Sequence, residues 1–408
     1  PRGTPLYKTT YNNFAPRFGI AYQLSQKPGR ETVLRGGIGI FYDLGTGPAA
    51  RGFSSFPFAT NNLITTNVPY PVTGSAAAAP PFPTPPFSFV VAFDPNLKLP
   101  RTYQWNLAIE KSLGANQTVS ASYLGAIGRR LINAETITNP NPTFSSVSIL
   151  RNKATSDYHA MQVQFQRRLS RGLQALVSYA WSHSIDAVSS DFGLGLDRGS
   201  SDFDVRHNFS AAVTYNLPTP KVGKLGEAIL SGWAIDGIIR SQSASPVNLI
   251  ARTTINVAGQ SIPQRPDLIP RIPLYIEDPT APGGKRFNNT VDPARPGCKG
   301  PFCSPPTTRQ GTLGRNVLRG FPLNQVDLSL RRQFNLTERL NLQLRADVFN
   351  IFNHPNFADQ NVTLTSATFG LSNAMFGTGL GGGVGGGFNP LYQIGGPRSM
   401  QFSLKLQF

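Results

Sequence analysis

Glycine runs, histidines and a close cysteine pair are the residues of this chain that could carry chemistry. Gly36-Gly37-Ile38-Gly39 and the run Gly381 to Gly387 have the composition of phosphate-cradling loops. Neither is followed by the Lys-Ser/Thr that a phosphate loop needs, and neither sits in a strand–turn–helix context, so both read as strand or loop glycine. The four histidines, His159, His183, His207 and His354, lack the helical or Cys/His spacing of a zinc site and read as strand-end or loop residues. No nucleophile elbow accompanies the abundant serines. No catalysis, cofactor or metal is expected. Cys298 and Cys303, in the loop Cys298-Lys299-Gly300-Pro301-Phe302-Cys303, would form a small local disulfide in an oxidising compartment.

The charge balance invites a second chemistry. With 38 Lys+Arg against 21 Asp+Glu the net charge is +17, a value compatible with nucleic acid. The basic residues are dispersed, however, and the pairs Arg129-Arg130, Arg167-Arg168 and Arg331-Arg332 fall mostly at strand ends without any nucleic-acid motif. Such positions suit the phosphates of lipid head groups or lipopolysaccharide, and lumen arginines suit anionic solutes. No nucleic-acid partner is expected.

The elements that position these residues are strands. Only 14% of the 408 residues are charged, against about 25% in soluble domains, and 40 Gly with 35 Pro punctuate the chain. No apolar stretch approaches the ~20 residues of a spanning helix. Instead, period-two alternation recurs. Tyr103, Trp105, Leu107 and Ile109 alternate with Gln104, Asn106, Ala108 and Glu110. The pattern returns in Val119–Tyr123, Met161–Gln166, Leu173–Trp181, Phe209–Tyr215, Gly232–Ser243, Val326–Arg331, Leu340–Val348 and Met400–Phe408, with an earlier pair at Phe18–Leu24 and Thr32–Tyr42. That makes roughly eleven strands of about ten residues, the length that crosses a bilayer at a tilt.

Connections alternate short and long. Short turns fall at Ser25–Arg30, Leu113–Gln117, Ser170–Gly172 and Asn335–Glu338, with Pro218–Leu230 somewhat longer. Long ones run over Asp43–Pro100, Arg129–Ser156, Ile185–Asp204, Ala244–Leu323 and Phe352–Arg398; Val247–Asn256 is a place where a further strand could hide. Short turns at one end and long loops at the other are the habit of outer-membrane barrels. The polar faces carry Gln, Asn, Ser and Thr rather than the Lys and Glu of a soluble sandwich. Tyr103, Trp105, Tyr123, Tyr179, Trp181 and Tyr215 suit the aromatic girdles at a membrane interface. The expected fold is all-β, a transmembrane antiparallel β-barrel with long extracellular loops.

Several segments resemble one family. Asn13-Phe14-Ala15-Pro16-Arg17-Phe18-Gly19, Leu34 to Asp43, Tyr179 to Asp186, Asp202 to Phe209, Arg345 to His354 and Gln401 to Phe408 are together similar to TonB-dependent receptors of the Oar-like group. The resemblance implies a barrel of about twenty-two strands preceded by a plug. On that reading residues 1–408 are the C-terminal part of the barrel, a fragment without plug or signal peptide, since the chain starts at Pro1 and shows no TonB box. It implies a receptor and transport channel of the Gram-negative outer membrane, taking up a large solute that the sequence does not name. Its partners would be outer-membrane lipid and lipopolysaccharide, the barrel assembly machinery, and TonB acting through the missing plug. A structural or adhesive barrel that binds partners through its loops is the alternative. Phe402, Leu404, Leu406 and Phe408 share one parity on the last strand, and the terminal aromatic resembles the signal read by the assembly machinery.

Overall fold

The computed structural model describes residues 5–44, 47, 56, 58–60, 71–74, 78–79, 82–187, 189, 197–220, 223–257, 260–337, 339–376 and 394–408. The run Gly381 to Gly387 and Glu338 lie outside the described residues. Among those described, eleven strands form one antiparallel path in sequence order. They are β1 (Arg17–Ser25), β2 (Thr32–Tyr42), β3 (Arg101–Ser112), β4 (Gln117–Asn141), β5 (Phe144–Ser170), β6 (Leu173–Asp186), β7 (His207–Asn216), β8 (Trp233–Gln242), β9 (Leu323–Asn335), β10 (Asn341–Phe349) and β11 (Ser399–Gln407). Each alternating segment of the sequence falls on one of them. β1 and β11 end the path and do not pair with each other, so the barrel is partial. No described helix is long and apolar enough to cross a membrane.

Register converts the alternation into two faces, because the side-chain period of a strand is two. Leu34 pairs with Ile109, Leu107 with Tyr123, Tyr123 with Met161, and Met161 with Trp181. At the far end Ile235 pairs with Leu330 and Leu344 with Leu404. One step along each strand the partners are polar: Ser122 with Gln162, Gln164 with Ser178, Asp236 with Ser329, Arg345 with Ser403. The apolar face stays open, with Trp181 55% and Leu404 67% exposed. A face of that kind is stable against lipid rather than water.

Three connections differ from the sequence reading. The segment Arg129–Ser156, expected as a loop, is the outer half of the β4–β5 hairpin, whose strands run 25 and 27 residues. A tilted crossing takes about 9–11 residues, so more than half of each stands clear of hydrocarbon. Register shifts around Gly128–Asn133 mark where the hairpin leaves the wall. Beyond them Glu135 accepts from Arg151 at 2.7 Å and from Lys153 at 2.5 Å, which ties the two strands across the pair. Within the long Asp43–Pro100 connection, Val90–Phe93 lies parallel to Val147–Leu150. Pro218–Leu230, expected as a turn, contains the helix α1 (Gly223–Leu230). The hidden strand suspected in Val247–Asn256 is present as two short ones, Pro246–Val247 and Arg252–Val257.

The buried core sits outside the wall. Val247, Leu249, Ala251, Phe287, Phe302, Leu313, Leu318, Leu364 and Phe369 pack into one cluster, with Phe302 edge-on to Phe369 at 5.8 Å. All come from the connections β8–β9 and β10–β11. These two long segments therefore fold together as a cap at the end of the strands opposite the short turns. A barrel wall has lipid for its apolar face and needs no such core; the cap, in water, does.

Candidate functional site

On the polar face the strands hold hydrogen-bonding side chains at fixed positions. Ser120, Ser122, Gln162, Gln164, Ser178, Asn208 and Ser210 border a shallow recess of about 270 Å3 on β4 to β7. On β7 to β10 the face is ionic. Thr214 donates to Asp236 at 2.7 Å, and Arg331 reaches Asp236 and Asn216, each at 3.0 Å. Ser329 and Arg345 both donate to Asp347, at 2.6 and 2.8 Å. Asp236 is matched to a guanidinium on the neighbouring strand and Asp347 to one two positions along its own, so the face is a surface of alternating donors and acceptors. Such a surface can hydrogen-bond a passing polar solute. Among the described residues no three His, Cys, Asp or Glu side chains are placed to hold a metal ion.

The cap is fastened to the wall at the β6–β7 connection. Asp204, whose side chain is fully buried, accepts from Arg319 at 2.5 Å, Arg206 at 3.0 Å, His183 at 3.1 Å and the Ser184 N–H at 2.8 Å. Burial pushes its carboxyl up, but the bonds from Arg319, Ser184 and His183 outweigh that and hold it at about 2. Arg315 donates to Asp186 at 2.5 Å and to the Asp186 carbonyl at 2.6 Å. Asn316 donates to Asp202 and to the Ser200 carbonyl. Three residues of one cap segment thus grip three aspartates of the rim.

The six aromatics singled out in the sequence share the apolar face but not one level. Tyr215 lies opposite Leu173, beside the Arg171-Gly172 turn. Tyr103 and Trp105 lie towards the cap, and Trp105 rests over Gly125, where an added Cβ would come within 2.3 Å of the indole. Tyr123 and Tyr179 bond His159 and His207 at 2.7 and 2.8 Å. Sequence reasoning missed that His159, His183 and His207 gather on adjacent strands of this face. It also missed Trp233, which donates to the Ile229 carbonyl at 3.0 Å while the Arg332 guanidinium stacks on it and on Phe334 at the turn end. His354 is held through its backbone by Asn350 and Asn356. Cys298 and Cys303 form a disulfide in the cap, across a two-strand pairing. Phe402, Leu404 and Leu406 share the face of Leu344 and Leu342, while Ser403, Lys405 and Gln407 share that of Arg345 and Gln343.

The outer membrane transporter YddB from Escherichia coli superposes with a TM-score of 0.52 at 10% identity, over 96% of this chain and 40% of that one. The chain thus spans about two fifths of that transporter's length. The FrpB iron transporter from Neisseria meningitidis gives 0.44 at 12% identity, over 88% and 37%. The copper transporter OprC gives 0.41 at 11%, over 96% and 38%. No curated protein matches the sequence. A family model described as "Outer membrane beta barrel domain" matches residues 2–381. With the two-faced wall and that match covering most of its length, the chain belongs to the outer membrane beta-barrel domain family and resides in the outer membrane of a Gram-negative bacterium.

Proposed function

We propose that this chain is a stretch of the wall and cap of a receptor and transport channel that takes up a large solute across the outer membrane, driven by TonB through a plug elsewhere in the whole protein. The observation that carries the reading is the pairing of a polar, ion-matched inner face with a cap that has its own core and is clasped to the rim by Asp204 and Asp186. A cap of that build offers a shaped surface for recognition, and the polar face offers a route for what is released from it. The likeness in fold to the transporter YddB supports it. The proposed role is recognition and transport, without catalysis.

The test is made in the native host. Deleting the gene and, separately, inactivating TonB should each stop depletion of the same compound from the growth medium, followed by mass spectrometry. If depletion is unchanged in both strains while attachment of the deletion strain to surfaces is lost, the adhesive reading replaces this one.

A further inference from the structure

Strands β2 to β6 form a groove of about 740 Å3 on the apolar face. Its floor runs from Leu34 through Leu107, Ala121 and Met161 to Trp181, and its cap-side end turns polar at His183 and Arg206. The register places this floor on the face opposite the serines and glutamines of the lumen, so a transported solute does not meet it. Its apolar residues stand open, with Leu107 55% and Met161 47% exposed. In the membrane they are covered by lipid.

The polar end distinguishes one kind of lipid. Arg206 donates through Nε to Asp204 at 3.0 Å, and its Nη2 lies 3.3 Å from Nε2 of His183. His183 Nδ1 faces the same Asp204, so the imidazole is fixed from both sides. Nη1 of Arg206 takes no part in these contacts. Two guanidiniums, Arg206 and Arg319, share the single carboxylate of Asp204, so Arg206 is held in place at the end of an apolar trough with part of its guanidinium outside these bonds. A guanidinium held in place by a second hydrogen-bonding group is suited to a phosphate oxygen. Other titratable groups of this rim are His159 and His207, each bonded to a tyrosine hydroxyl, and Asp202, which accepts from Asn316 of the cap.

Width narrows the choice further. Five adjacent strands set about 4.8 Å apart make a floor roughly 19 Å across, broader than the two acyl chains of a phospholipid cover. The end with Arg206 lies on the side of the cap, which is the outer leaflet when the short turns are periplasmic. We propose that this groove binds the lipid A moiety of lipopolysaccharide, with a phosphate against Arg206 and His183 and several acyl chains along Leu107, Ala121 and Met161.

The experiment extracts the protein from outer membranes into mild detergent and measures retained lipid by native mass spectrometry, with lipid A, phosphatidylglycerol and phosphatidylethanolamine offered in competition. Lipid A is expected to be retained in preference to both phospholipids. Arg206→Ala should lower its retention by about tenfold, the loss of one charge-assisted contact. Because Arg206 also touches Asp204, Ala121→Phe provides a variant remote from the cap; it fills the groove and should lower retention comparably. Gln164→Ala, on the lumen face, should leave it unchanged. Equal retention of a diacyl phospholipid, or full retention of lipid A by Ala121→Phe, would overturn the proposal.

Discussion

Asp204 and Arg319 are 115 positions apart in sequence, yet the guanidinium holds both the carboxylate and the backbone carbonyl of the aspartate, each at 2.5 Å. The pair joins the rim of the wall to the segment that leads the chain out of the cap into β9. Its acid dependence follows from sign. The folded carboxyl sits at about 2 against an ordinary 3.8, so the stabilisation is complete above about pH 4 and is lost as pH falls towards 2. The shift corresponds to something on the order of 2 kcal/mol. Asp204→Asn should therefore make the cap more susceptible to proteolysis at neutral pH, and the difference from wild type should shrink below about pH 3. Equal cleavage rates at pH 7 would refute the clasp.

Trp105 and Gly125 give a second prediction. The indole occupies the space where any side chain at 125 would begin. Gly125→Val should push Trp105 off the sheet, and its tryptophan emission should respond to membrane-embedded quenchers differently from wild type. Gly237→Val is the control, since its Cβ would meet only Leu328 at 3.4 Å. An unchanged quenching profile for Gly125→Val would count against the packing of Trp105 described above.

How much of this was legible beforehand depends on where each contact lies in sequence. The wall was legible because its constraint is local: lipid on one side and water on the other force period two within ten residues. The histidine row needed one further step. Positions symmetrical about the Arg171-Gly172 turn face each other across the hairpin, and His159 and His183 are such a pair. The cap was hidden for the opposite reason. Its strands are mostly two to six residues long, too short for a period, and its core joins Phe287 to Phe369 and Val247 to Leu318 across long stretches of polar sequence. The outer β4–β5 hairpin was missed because cross-strand ion pairs such as Glu135 with Arg151, rather than alternation, hold it together.

The Cys298–Cys303 bridge closes a loop of only a few residues, so it constrains little of the unfolded chain. The nearby Phe302 is fully buried by its packing in the cap core. A double Cys→Ser variant should reach the outer membrane in wild-type yield, with a bridge detectable by mass spectrometry only in the parent. Loss of insertion in the double variant would mean that the disulfide, not the core, sets the cap.

The edges of the sheet lead to a fourth test. β1 and β11 each expose one row of backbone donors and acceptors along the wall, and in hydrocarbon each unsatisfied group costs several kcal/mol. Expressed without further strands, residues 1–408 should not form a closed monomeric pore. Heat-modifiability on gels and conductance in planar bilayers check this, and a stable monomer with discrete conductance would contradict it.

The last strand tests the facing of the whole wall. Leu404 pairs with Leu344 and Lys405 with Gln343, so the two neighbours face opposite sides. Leu404→Lys places a charge in lipid at a cost of about 2–4 kcal/mol near the midplane, whereas Lys405→Gln keeps a polar group on the lumen side. Outer-membrane yield after fractionation should fall sharply for the first and hardly at all for the second. Phe408, one residue beyond the strand and of the same parity, is 99% exposed, so the rest of the wall does not hold it. Its deletion should lower yield more than Gln407→Ala does, because the apolar anchoring lost is on the order of 2 kcal/mol and a terminal aromatic is what we propose the assembly machinery reads. If Leu404→Lys assembles normally while Lys405→Leu fails, the apolar face does not meet lipid at this strand, and the face assignment carried by register from β1 to β11 is inverted.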